Sequence, residues 1–165
     1  KLLGIKDKNI KVDEDNAVFD SRGDCNAIIE SATGKLVLGC PRTVITDRVR
    51  EIGNSAFARI PLPHCMKIPE GVETIADGAF AQCANMEMLV LPKSLRKIGS
   101  RSFWCCMDLQ TVMANSPELY IGDNAFSYIP NLYVVDLPQN VTFESNMVFY
   151  GSPFQKVYEQ MCEKQ

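Results

Sequence analysis

Residues 72 to 83 read VETIADGAFAQC: an isoleucine, Ile75, and five positions later a phenylalanine, Phe80, set behind the small Ala79. The chain rebuilds this arrangement repeatedly. Phenylalanines stand at Phe57, Phe80, Phe103, Phe126 and Phe149, and every step between them is 23 residues. The same step links Ile52, Ile75, Ile98 and Ile121, then Met86, Leu109 and Leu132, then Met66, Leu89, Val112 and Val135. Apolar columns that survive translation by one period mark a solenoid, in which each unit finds its core only between its neighbours. The steps predict a repeat without insertions.

A ladder of rings then fills the wide part of each coil, at a neighbour spacing of about 5 Å set by adjacent strands and compatible with offset stacking. Ala56, Ala79, Ser102 and Ala125 stand before the rings, where a bulky side chain would clash between layers. MLVLP (88–92) and VVDLP (134–138) alternate apolar with other residues and stop at a proline, which cannot donate to a ladder. These are read as the parallel strands. VETIAD and LRKIGS are read as the turns that follow, with no demand for positive φ in the Gly53, Gly99, Gly122 column because Ala76 shares it.

On a pleated strand, residues flanking the core positions point outward. The columns Cys65, Met88, Thr111, Val134 and Lys67, Val90, Met113, Asp136 are therefore expected side by side on the sheet face, with Tyr133 at its margin. A contiguous patch of Met88, Val90, Met113 and Val134 would mark a protein contact. The plainer alternatives are that these side chains cover one another or that a neighbouring copy covers them in a weak homodimer.

The unit can be written L-x-x-L-x-L-P-x-x-L-x-x-I-G-x-x-A-F-x-x-C. In this it resembles the BspA-like leucine-rich repeats of surface proteins in anaerobic bacteria and some protists. The likeness covers residues 49–152, with departures at Pro61 and Pro63, at Met86, at Asn115 in place of a strand-closing proline, and after Phe143, where Ile-Gly becomes Glu-Ser. It implies a single leucine-rich repeat domain over 1–165, of the α/β leucine-rich repeat class, β-rich and coiled right-handed, with a capping unit at 1–48 and a helical cap at 153–165. It also implies a secreted or cell-surface protein that binds host or other bacterial surface proteins in adhesion.

Before the repeats, NAIIES and KLVLGC joined by ATG read as a β-hairpin. Cys25 and Cys40 bracket it where the two strands could face each other, so they are either a disulfide or two buried thiols. After the repeats, SPFQKVYEQMCEKQ places Phe154, Val157, Tyr158 and Met161 at helical spacing. The chain opens KLLGI with neither a methionine nor a charged-then-apolar leader, which suggests a mature form or an excised segment.

Little in the chain points to catalysis. The sole histidine, His64, adjoins Cys65, and a sequence neighbour cannot easily turn to serve as its base. Seven cysteines without a C-x-x-C pair do not make a zinc site or a fully bridged scaffold, and no cofactor motif is present. Cys83 and Cys106 share a column with Ile60 and Ile129, so they are read as core thiols. Lys93, Arg96, Lys97 and Arg101 lie in the same columns as Glu70, Glu73 and Asp77 of the preceding unit or in nearby ones, which suggests charge pairing between coils in place of an anion site. NVT at 140–142 fits a glycosylation sequon, which in a bacterial protein ordinarily carries no meaning. A formal charge of −3 gives no footprint for nucleic acid, and no apolar run approaches the roughly 20 residues of a membrane span. The expectation is a non-catalytic recognition module with no metal or cofactor; the alternatives are a spacer that displays another domain, and an enzyme.

Overall fold

A computed structural model describes residues 9–21, 23 and 25–162. The start of the 1–48 capping unit and the extreme C-terminus lie outside them. Along the chain run β1 (Phe19–Asp20), β2 (Ile28–Glu30), β3 (Lys35–Leu38), β4 (Glu51–Ile52), β5 (Cys65–Lys67), β6 (Thr74–Ile75) and β7 (Met88–Leu91). Then come β8 (Lys97–Ile98), β9 (Thr111–Ala114), β10 (Leu119–Ile121), β11 (Val134–Asp136), β12 (Val141–Phe143) and α1 (Gln155–Cys162).

The chain is a β-solenoid. One sheet has four parallel strands in the order β11-β9-β7-β5. The other has eight in the order β1-β2-β3-β4-β6-β8-β10-β12, antiparallel only through the N-terminal hairpin and β1. The segments read above as turns after isoleucine thus contain the two- and three-residue strands of this second sheet. Two residues per coil are too few for alternation to show in the sequence, whereas Ile52, Ile75 and Ile98 pair directly across the sheet.

The third side of each coil is a run of turns, and it too is bonded from coil to coil. Ser55, Phe57 and Arg59 donate their N–H groups to Asp77 O, Ala79 O and Ala81 O at 3.2, 2.8 and 2.9 Å. Gly78, Phe80 and Gln82 do the same to Ser100, Ser102 and Trp104. To aim alternate N–H groups along the solenoid, the residues two before and two after each of the first four rings turn left-handed: Ser55, Gly78, Arg101 and Asn124 on one side, and Arg59, Gln82, Cys105 and Tyr128 on the other. Most are not glycine, so the sequence concealed them; the ladder bonds hold a conformation that a free residue would avoid.

Inside, the five ladder phenylalanines are buried. Successive centroids are 5.0, 5.2, 5.1 and 5.7 Å apart, with interplanar angles of 10° or less. Each buried ring contributes about 1.5–3 kcal/mol through desolvation, and stacking adds to it. Both ends are closed. Gly39 lies flat on Phe57, where an added Cβ would fall 2.1 Å from the ring. At the other end Phe154 and Tyr158 approach Phe149 at 5.0 and 5.3 Å. Within the coils Gly99 is needed for room, since a Cβ there would lie 2.7 Å from Asp77 N and 2.8 Å from Ala76 C.

The structure bears on four further expectations. First, the last coil is not a plain copy: Ile121 pairs with Phe143, only 22 residues on, and Phe143 takes the column assigned by period to Glu144. A residue is lost before Phe143 and regained before Phe149, so the ring ladder resumes in step. Second, of the two readings left open for Cys25 and Cys40, the structure has the buried-thiol one, with Cys40 buried beside the hairpin. The Cys25 and Cys40 thiols face the carbonyls of Ala27 and Asn26 at 3.9 and 3.4 Å.

Third, the acidic groups at 70 and 77 hold the next coil chiefly through its backbone, with the Lys93 charge a lesser contribution at Glu70. Glu70 accepts from Lys93 N and Ser94 N at 3.0 and 3.2 Å, and Asp77 from Ser100 N at 2.8 Å. Fourth, the C-terminal segment buries only part of its apolar face: Phe154 just before α1 and Tyr158 within it are buried, while Val157 and Met161 are exposed.

Candidate functional site

In the four-stranded sheet the side chains alternate. Met66, Leu89 and Val112 point into the core, and the residues on either side of them point out. Strand register then fixes what lies beside what. Cys65 pairs with Met88, Met88 with Thr111, and Thr111 with Val134. Lys67 pairs with Val90, Val90 with Met113, and Met113 with Asp136. Met88, Met113 and Val134 are 39%, 38% and 54% exposed, and Val90 and Thr111 are half-buried between them. Tyr133, 64% exposed, stands at the margin just before β11.

Charge is confined to the borders of this face. Lys67 is on the first strand and Asp136 on the last, both exposed, with apolar side chains between them. Beyond the other column, His64 Nδ1 lies 2.9 Å from Glu87 Oε1, an exposed contact that uses the only histidine.

Cys83 and Cys106 are buried in the coil corner, and their thiols donate to Phe57 O and Phe80 O at 3.0 and 3.1 Å. The contact with the Cys83 thiol, together with burial, pushes the Cys106 thiol well above the usual range. Such a thiol is a poor nucleophile. Among the described residues no group of three or more His, Cys, Asp or Glu is placed to hold a metal ion. No helix among them is long and apolar enough to cross a membrane.

A second, partly exposed feature lies on the turn side. Trp104, Tyr128 and Tyr150 meet edge to face, with centroids 6.3 and 5.5 Å apart. Sequence reasoning missed this strip because its two columns hold Ala58, Ala81 and Ser127, and Arg59, Gln82, Cys105 and Gly151, elsewhere, although Trp104 and Tyr150 do lie two periods apart.

The geometry described is a stack of 23-residue coils, and the model of the BspA type leucine rich repeat region matches residues 42–160 in six copies. The chain belongs to the BspA type leucine rich repeat family. No curated protein and no solved structure matches it. In BspA type repeats the solenoid is a scaffold for protein–protein interaction on surface proteins, which is consistent with an exposed apolar sheet face and with titratable groups dispersed along the array.

Proposed function

We propose that this chain is a non-catalytic recognition module of a secreted or cell-surface protein, and that it holds protein partners in adhesion through the outer face of the four-stranded sheet. The observation that carries the reading is the register that sets Met88, Val90, Met113 and Val134 side by side in one patch. Scattered exposed apolar residues are ordinary; a contiguous group is the kind of surface that marks a contact, and methionine adapts to varied partners. The rigid array behind the patch lowers the entropy lost on binding.

The test uses immobilised protein and surface-labelled host and bacterial proteins, with Met88→Asp/Met113→Asp as control. The double variant should keep its melting temperature within a few degrees and lose at least about tenfold in capture, as expected when charges enter an apolar contact. Capture unchanged by the double variant would refute the assignment of the face, and unfolding would reverse its inside and outside. Turnover of a small substrate abolished by a single buried substitution would refute the non-catalytic reading.

A further inference from the structure

We infer that the partner of this face is a second copy of the same chain, packed sheet to sheet about a two-fold axis parallel to the strands. The inference rests on the sheet face being the recognition surface. Its ground is the distribution of charge: the column Lys67, Val90, Met113, Asp136 is cationic at one end, anionic at the other and apolar between. An axis running along the strands midway between β7 and β9 keeps each column over itself and reverses the order of coils. Lys67 of each copy then faces Asp136 of the other, and Val90 faces Met113, so the surface is its own complement.

The second column is uncharged throughout, so Met88 and Val134 also fall on uncharged side chains. The bordering column that begins at His64 brings Glu87 over Gln110 and His64 over Tyr133, with no like charges opposed. An axis along the solenoid instead would lay β5 on β5 and β11 on β11, leaving both terminal charges without an opposite. Four strands at about 4.8 Å spacing make a face far smaller than the ~800 Å² per partner of a standard stable complex. The contact is therefore weak between free molecules and gains strength where copies are held close together.

Sedimentation equilibrium of the purified chain is the test. The natural chain should associate with a Kd between about 10 µM and 1 mM. Lys67→Asp and Asp136→Lys each turn both cross-pairs into like charges and should each weaken association at least about tenfold. An equimolar mixture of these two variants should recover it, because the mixed dimer sets Asp against Lys at both ends. A natural chain that stays monomeric at 1 mM, or a mixture no tighter than either variant alone, would overturn the inference. If the monomeric chain still captures a surface protein in a manner lost with Met88→Asp/Met113→Asp, the homophilic inference falls and the recognition reading stands. Association untouched by Met88→Asp/Met113→Asp would place the contact elsewhere and overturn the inference as well.

Discussion

Phe103 sits in the middle of the ring ladder, with Phe80 at 5.2 Å on one side and Phe126 at 5.1 Å on the other. Its neighbours belong to coils fixed by backbone bonds on every side, so they cannot collapse into a void. Phe103→Ala is expected to cost about 3–5 kcal/mol, read by denaturant unfolding. A melting temperature within about a degree of the parent would contradict the ladder's role. The left-handed positions give the opposite sign. Arg101 is exposed at φ 55°, in the column where Gly78 stands one coil earlier. Arg101→Gly should leave the fold intact and stabilise it by roughly 0.5–1 kcal/mol, the left-handed cost relieved less the entropy glycine adds to the unfolded chain. Gly78→Ala should destabilise by about 1 kcal/mol for the same conformational reason, since its Cβ would meet nothing closer than Ser55 Oγ at 3.4 Å.

At the scale of elements, Glu70 works as a clasp between coils. The N–H groups of Lys93 and Ser94 hold its carboxyl below the usual carboxylate value of 4.5. A carboxylate favoured in the folded state adds stability above its unfolded pKa, and that stability disappears as pH falls through the lowered folded value. Glu70→Gln should therefore flatten the decline of melting temperature below about pH 4.5, while changing it less near pH 7. The hairpin bears on redox state. In chain unfolded without reductant, Cys40, Cys65, Cys83, Cys105 and Cys106 should all react with a thiol reagent. Fewer than five reactive thiols would contradict the corner cysteines as core. The strands of the four-stranded sheet and the hairpin were legible because alternation over three or four residues, closed by proline or by a turn-prone ATG, leaves a pattern. The second sheet was not, because a two-residue strand such as Lys97–Ile98 is too short to carry a period. Which way Cys25 and Cys40 face was equally illegible: β2 and β3 shift register between Ile28 and Ile29, and one residue of slip redirects every side chain beyond it. The outward columns of the candidate face were readable because they follow from alternation and period alone, whereas the Trp104, Tyr128, Tyr150 strip interlaces two columns, each aromatic at only some of its coils.

For the whole molecule the decisive fact is that its closures are separate from its repeats: Gly39 seals one end, Phe154 and Tyr158 the other, and every coil between presents matching top and bottom surfaces. Inserting a second copy of residues 72–94 after Ser94 should then give a folded chain one strand longer, by about 4.8 Å, visible in small-angle scattering. Loss of cooperative unfolding in that chain would show that the coils are not interchangeable. The same insertion changes more than length. Lys67 and Asp136 stand three strand steps apart, about 14 Å, and the added coil would carry them to about 19 Å. Two chains of equal coil number would still meet charge to charge at both ends, and chains of unequal number could satisfy only one end at a time. The number of coils would then act as a password, read by length, through which a molecule of this architecture distinguishes its own kind from close relatives of another size.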